Sequence, residues 1–341
     1  MEIIDPCQNP DWDREVLLHP EATPFHTSNW AKVLCKTYGH IPRYLRFAKD
    51  GKLVALIPFM EVRSWLTGIR GVCLPFADFC QPLWFQANVQ GAVFEAVREI
   101  GRNFGWKHLE LRGEVESHIS SQPAVTFRAH TLPLVGRDAQ FASFSSSTRR
   151  AVRRANRSGL QVKVLTSVDG LRQYYKLHLL TRQRHGAPPQ PFHFFENLHK
   201  SFMESGAGFC VVSLLNDELV AAAVFLHTGR SAIYKFGASN ERFQHLRGNN
   251  LVMWEGIQTL ARMGCKTLHF GRTDVANLGL SHFKQGWGSK EYDLEYFRIN
   301  PESGEWLTTQ GSLGGWRSRF FQRLPISMHK TIGKALYPHL D

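Results

Sequence analysis

The stretch Gly264–Gly288, GCKTLHFGRTDVANLGLSHFKQGWG, decides how the chain reads. Thr267 to Phe270 alternates as a buried strand, and Gly271 is where the chain is expected to leave the sheet. Arg272 and Asp274 follow at once. A short polar loop should then lead to Phe283 and Lys284 and close on Gly286-Trp287-Gly288. In open α/β sheets, ligands bind just beyond the carboxyl ends of strands. A strand ending in Gly-Arg-x-Asp, with a lysine a dozen residues on, fits such a site. Arg272 and Asp274 would orient a substrate there, or would simply pair with each other.

Upstream, Asn250 to Met263 has helical spacing through Met253, Ile257 and Leu260, with Gly264 as its C-cap. Ser231 to Phe236 reads as a strand. Phe209 to Leu215 and Leu219 to Leu226 read as a hairpin turning at Asn216-Asp217-Glu218. Tyr292 to Ile299 reads as a closing strand. The first half repeats this order. It has a hairpin, LRFAKDGKLVALIPF, then a helix over Gln90 to Phe104, then Gly105-Trp106-Lys107-His108-Leu109-Glu110-Leu111-Arg112. The second half has VVSLLNDELVAAAVF, a helix, then Gly264-Cys265-Lys266-Thr267-Leu268-His269-Phe270-Gly271-Arg272. The shared G-x-K-x-L-x-[LF] implies a duplicated α/β (α+β) domain whose helices cover a mixed sheet. The expected division is 1–143, 144–300 and a tail, 301–341.

The 341 residues suffice for two ordinary domains. Net charge is +12 and the pI about 9.6, which points to a polyanionic partner such as tRNA, an anionic lipid surface or a substrate-linked phosphate. Nothing points to DNA. The charge concentrates in Phe144 to Gly159, a serine-capped helix carrying Arg149, Arg150, Arg153, Arg154 and Arg157. The five make a dense single-sign face, with Arg149, Arg153 and Arg157 the candidate polyanion contacts; the alternative is a solvated helix at the domain seam.

The six cysteines make no C-x-x-C and no zinc spacing with histidine, so no metal is expected and the thiols should be reduced. The opening residues show no basic stretch before an apolar core, and no apolar run approaches the roughly 20 residues that span a bilayer. A cytoplasmic protein is expected, at most on the inner face of the membrane. The tail places Trp316, Phe320, Phe321 and Leu324 beside Arg317, Arg319, Arg323, His329, Lys330 and Lys334. Such a basic amphipathic segment either lies on anionic lipid or packs on the second domain.

Four short pieces, in this order, resemble the Fem-type aminoacyltransferases (FemA, FemB, FemX) and related GNAT-like acyltransferases. They are Phe25 to Lys32, the basic segment before Gly159-Leu160, Thr181 to Gly186 followed by Pro189 to Phe195, and Phe270-Gly271-Arg272 with Phe283-Lys284. The resemblance implies two tandem GNAT-like domains. It implies transfer of an aminoacyl or acyl group to an amine of a peptidoglycan, other cell-envelope or exopolysaccharide precursor. It puts Lys284 at the reaction centre beside Phe283. Arg184 becomes the contact to the precursor's phosphates, with Lys32, beside Trp30, a weaker candidate. The co-substrate would be aminoacyl-tRNA or acyl-CoA, with no tightly bound cofactor. A fixed cation facing the tetrahedral oxyanion of such a transfer is worth roughly 3–4 kcal/mol.

One departure bears on the donor. Acetyl-CoA-dependent GNAT enzymes carry a Q/R-x-x-G-x-G/A loop before a helix. Here the place reads Gln244-His245-Leu246-Arg247-Gly248-Asn249-Asn250, with one glycine. Arg247, Gly248 and Asn249 remain candidates for holding a phosphate at the helix start. The general base stays open between Asp274, His282 and the substrate itself. Two further readings stand beside aminoacyl transfer: an acetyl-CoA-dependent N-acetyltransferase, and a non-catalytic module that binds RNA or anionic membrane.

Overall fold

Where the repeat predicts two equivalent α/β halves, the computed structural model shows two compact units; it describes residues 1–113, 122–308, 322 and 324–340. Within those residues, the first unit comprises 1–113, 122–128, 293–308 and 336–340, and the second 129–292, 322 and 324–335. The division at Arg128/Ala129 thus lies before the expected seam at 143. The helix Arg137–Ser143 belongs to the second unit because Phe141 packs on Phe144 and Trp254, with ring centroids 5.9 and 5.6 Å apart. The closing strand, Lys290–Ile299, passes into the first unit at Asp293, and the expected tail is divided between the two.

In the first unit, Tyr44–Lys49 and Lys52–Ile57 form the expected hairpin. Asp50 and Gly51 turn it with φ of 51° and 73°, the left-handed pair that a two-residue turn requires. Glu2–Ile4 and Leu83–Trp84 complete an antiparallel four-stranded sheet around it. Leu109–Arg112 pairs antiparallel with Asp293–Ile299 and parallel with Gly68–Val72, which in turn pairs with Met60–Ser64. The helix Ser28–Tyr38 starts after its N-cap, Thr27, and ends at Gly39, a left-handed C-cap.

The second unit orders its strands as Gln161–Leu165, Gly208–Leu215, Glu218–Thr228, Ser231–Ser239, Thr267–Asp274 and the part of the strand Val125–Pro133 from Ala129 on. All neighbours along the first four strands are antiparallel; Ser231–Ser239 and Thr267–Asp274 are parallel. That parallel ladder pairs only Ser231, Ala232 and Ile233 with Thr267, Leu268 and His269, and both strands run on past it. A parallel crossover needs a helix between its strands, here Gly248–Arg262. It lies close on Glu218–Thr228 because glycines face the sheet. A Cβ on Gly248 would stand 2.6 Å from Val220, and one on Gly256 2.2 Å from the Phe225 ring. Ala221, Ala223, Phe225, Val252, Trp254, Ile257, Leu268, Phe270 and Trp287 share this core.

Three local expectations change. The strand does not leave the sheet at Gly271 but runs to Asp274, and Gly271 bends it with φ 73°. The expected polar loop is a helix, Leu278–Gln285, capped by Asn277, whose Oδ1 accepts the Leu280 N–H at 3.1 Å. Val125–Pro133 is a strand where the sequence reading above places no element. In the tail, the helix Ile326–Leu336 buries His329, and Gly333 packs against the Pro189 carbonyl, while Lys330 and Lys334 stay exposed. Trp316, Arg317, Arg319, Phe320, Phe321 and Arg323 lie outside the described residues. Among the described residues no helix is long and apolar enough to cross a membrane, and no group of metal-ligating side chains occurs. None of the six cysteines is in a disulfide.

Candidate functional site

The two parallel strands of the second unit end beside the start of the helix Gly248–Arg262. Arg247, with φ 61°, turns the chain into that helix out of the short turn Glu241–Leu246. Arg247, Gly248 and Asn249 therefore stand at a helix start, as expected. Gly248 is required by the sheet beneath it rather than by a ligand, and the Asn249 amide bonds Ser239 Oγ at 3.1 Å. A hollow of about 260 Å³ here is lined by Ser239, Asn240, Arg247, Gly248, Asn249 and Phe283.

A wider groove of about 660 Å³ is bordered by Arg150, Arg154, Arg247, Asn250, His282 and Phe283. Three arginines from two helices thus meet on one groove. The arginine helix, Ser146–Arg157, is capped by Ser145 Oγ, which accepts the Thr148 N–H at 3.2 Å. It buries Thr148, Val152 and Ala155. The helical period then turns Arg150 and Arg154 to one flank and Arg149 and Arg153 to the other. Of the expected contacts, Arg149 and Arg153 therefore stand off this groove. Arg149 donates to the Ala142 and Phe144 carbonyls at 2.8 and 2.6 Å, and Arg153 lies over the Phe141 ring at 5.5 Å. Both border a separate hollow with Asn156 and Trp254. Arg157 is exposed and lines neither cavity.

Lys284 is only 2% exposed. Its Nζ donates to the carbonyls of Gly271 at 2.9 Å and Arg272 at 3.2 Å. The amine that the family resemblance puts at a reaction centre is therefore fixed beneath the strand end, and Phe283, its neighbour, lines the groove. Arg272 and Asp274 are exposed on the last turn of the strand, with buried Thr273 between them. Asp274 Oδ1 accepts the Ala276 N–H at 2.9 Å, which closes the turn into the helix. Gly286-Trp287-Gly288 is not a wall of the groove. Trp287 is buried against Phe144, 5.0 Å between centroids, and the Gly286 carbonyl accepts the Ser145 N–H at 2.9 Å. These glycines let the lysine helix seat on the arginine helix.

Behind Lys284, His130 Nε2 lies 3.1 Å from Ser281 Oγ and 2.8 Å from Glu291 Oε2. Ser281 also donates to Glu291, and Gln285 Nε2 does so at 3.0 Å. The serine hydroxyl, with the histidine beside it, holds the Glu291 carboxyl below its usual range. One imidazole nitrogen faces both oxygens, so this is not a nucleophile relay, which needs the two ring nitrogens on opposite partners. It fixes Leu278–Gln285 to its neighbouring strands. No short-range pattern links positions 130, 281 and 291, and sequence reasoning did not find them.

Arg184 ends the helix Val168–Arg184 and lies 3.9 Å from Glu241, away from the groove lining. In the first unit, Trp30 is wholly buried, its indole N–H donating to the Pro75 carbonyl at 3.3 Å. It is a core residue, not a substrate contact. Lys32 Nζ donates to Ser28 Oγ at 3.1 Å within its own helix.

Residues 142–285 match the family model described as an acetyltransferase (GNAT) domain. No curated protein matches the sequence significantly. Among solved structures, a crystal structure of FemX is similar with a TM-score of 0.69 at 15% identity, covering 86% of this chain and 96% of that one. A tandem GNAT protein from the clavulanic acid biosynthesis pathway is similar with a TM-score of 0.55 at 11% identity, covering 86% and 96%. L-PGS from Bacillus licheniformis is similar with a TM-score of 0.52 at 13% identity, covering 93% and 98%. The fold is thus two GNAT-like domains in tandem, as the repeat implied, and the expected likeness to Fem-type and GNAT proteins holds. The domain match supports an acyltransferase on that fold.

Proposed function

We propose that the second unit transfers an aminoacyl or acyl group from a phosphate-bearing donor to an amine of a cell-envelope or polysaccharide precursor. The observation that carries this reading is the groove on which Arg150, Arg154 and Arg247 converge, beside the ends of two parallel strands. Three cations on one concave surface favour a polyphosphate or nucleic-acid backbone over a neutral ligand. The half-buried Phe283, which lines the groove, offers an apolar surface for the group next to those phosphates.

In the reaction, the acceptor amine attacks the donor carbonyl, a C–N bond forms, and a tetrahedral oxyanion results. Its collapse breaks the C–O bond of an aminoacyl ester or the C–S bond of a thioester. The amine proton passes to Asp274, to His282 or to the departing oxygen or sulfur. Asp274 stands at the strand end and His282 on the groove. Lys284 acts as a fixed positive charge under the strand end, held by two carbonyls rather than by a flexible reach. A preorganised charge of this kind costs no reorganisation at the moment of reaction. Arg272 orients the acceptor, and Arg184 takes an acceptor phosphate in exchange for Glu241.

A second reading, an acetyl-CoA-dependent N-acetyltransferase, is favoured by the description of the matching domain and by the intact helix start at Gly248. The missing second glycine of the loop weighs against it. Thermal shift with acetyl-CoA, with aminoacyl-tRNA and with a UDP-linked sugar separates the readings, because a ligand stabilises in proportion to the logarithm of its saturation. Stabilisation by aminoacyl-tRNA, weakened in Arg150→Ser/Arg154→Ser and by salt, supports the first. Stabilisation by acetyl-CoA alone supports the second. A bound donor without product formation from any amine would leave a binding module and overturn both.

A further inference from the structure

The first unit carries an exposed apolar tip that the transfer reading does not use. Met60–Ser64 and Gly68–Val72 pair from Met60↔Val72 to Ser64↔Gly68, leaving Trp65-Leu66-Thr67 at the turn. Ser64 Oγ accepts the N–H groups of Leu66 and Thr67, both at 3.1 Å, so the turn is built and not frayed. Trp65 is 83% exposed and Leu66 52%. The indole N–H donates to His339 Nε2 at 3.0 Å. The one polar atom of the tryptophan is therefore satisfied within the chain, and what faces outward is apolar.

Among the described residues, basic side chains predominate around the tip. Arg63, on the strand leading into it, is exposed. Lys107 lies along Gly68, where a Cβ would come within 2.8 Å of its Nζ. Arg70 braces the turn from behind through Thr67 and the His339 carbonyl. Glu61 is buried and shared by Arg43 at 3.3 Å and Arg63 at 2.7 Å, so among these described residues two arginines share one carboxylate. A second exposed apolar pair, Leu17-Leu18, makes the contrast, since its neighbours include Asp13, Glu15 and Glu21. An anionic surface would repel that pair and attract the Trp65 tip. Tryptophan is favoured where apolar and polar media meet, and basic residues beside an apolar anchor draw it to acidic headgroups.

We propose that the Trp65–Leu66 hairpin tip seats the first unit on an anionic phospholipid bilayer. Trp65 and Leu66 enter the headgroup boundary, and Arg63 and Lys107 meet the lipid phosphates. Co-sedimentation of the full chain with vesicles tests this. The chain binds phosphatidylcholine vesicles containing phosphatidylglycerol and leaves pure phosphatidylcholine vesicles unbound. Trp65→Ser/Leu66→Ser lowers partitioning by about tenfold or more with an unchanged melting midpoint. Lys107→Glu lowers it in the same direction. Brominated lipids quench the wild-type fluorescence more than that of Trp65→Phe. Vesicle binding unchanged in the tip variants but lost in Arg150→Ser/Arg154→Ser would overturn the proposal. So would no binding to either vesicle. A dimer in solution that the tip variants dissociate would overturn it too, by making the tip an interface between copies.

Discussion

The two strands that share G-x-K-x-L-x-[LF] end in opposite ways. Gly105 and Gly264 do the same work, with φ of 64° and 85° after a helix and nothing near a Cβ. Seven residues later the paths part. Arg112 is 2% exposed; it forks onto Glu110 at 2.6 Å and donates to the Leu74 and Ala77 carbonyls at 2.8 and 2.9 Å, over the Tyr296 ring. Glu110 takes Arg298 at 2.5 Å on its other oxygen. In the second strand the corresponding place is Gly271, which bends the chain, and Arg272 comes out exposed. A duplicated element has thus put its first arginine into the fold and its second at the surface of a candidate site. The carbonyls beside the second are held by Lys284, for which the first unit has no counterpart in sequence.

The comparison breaks most visibly if Arg112 is removed. Arg112→Ala leaves Glu110 buried with half its partners, and should cost about 3–5 kcal/mol in chemical denaturation. Arg272→Ala should leave the midpoint nearly where it was while slowing transfer. Equal destabilisation by the two would show that the strand ends are not differently used. Lys284→Ala sharpens the point from the other side. Transfer should fall by about 10²–10³-fold, with a stability loss of about 1–3 kcal/mol from the two carbonyls left without their donor. A near-normal rate would remove Lys284 from the chemistry and leave it a structural residue.

Acid should weaken both units alike, because each buries a neutral histidine. Burial pushes His26 down to about 4, aided by His19, and pushes His178 down to about 3, aided by Arg182. Unfolded, each would bind a proton near pH 6.5, so the unfolded state gains protons first. Stability is therefore full above pH 6.5 and is lost as pH falls from there towards 4, by an amount on the order of a few kcal/mol. A melting midpoint that stays flat between pH 7 and 5 would contradict the burial of these rings. The smallest expected effect concerns the seat of the lysine helix. Gly286→Ala puts a Cβ 2.5 Å from Thr148 Oγ1. It should cost about 1–3 kcal/mol as overpacking, and it should lower transfer more than a Gly105→Ala change of similar cost in stability.

Much of the fold was legible because it rests on short-range signals. The Asp50-Gly51 turn, the Ser145 cap and the glycines after helices are local chemistry, and the repeat of element order gave the tandem arrangement. What the periodicity missed has local reasons too. Val125–Pro133 lies next to residues with no clear pattern, and the strand Thr267–Asp274 reads as ending at Gly271 because glycine is a common exit from a sheet, while here it is a bend within a strand. The domain seam moved from 143 to 128 because the helix Arg137–Ser143 carries Phe141, whose aromatic partners lie within the second unit.

The candidate site was legible only in its residue types. The sequence by itself determined that one helix carries five arginines, that a helix starts at Gly248, and that a lysine follows a Gly-Arg-x-Asp strand end. Local propensity and capping suffice for that. Tertiary structure decided which of these residues face a common space. It turned Arg150 and Arg154 rather than Arg149 and Arg153 to the groove, because burial of Thr148, Val152 and Ala155 fixes the rotation of the helix. It drew Lys284 inward to two carbonyls and left Phe283 outside. It joined His130, Ser281 and Glu291 across long separations in the chain. Facing is set by packing among distant segments, and no local pattern records it.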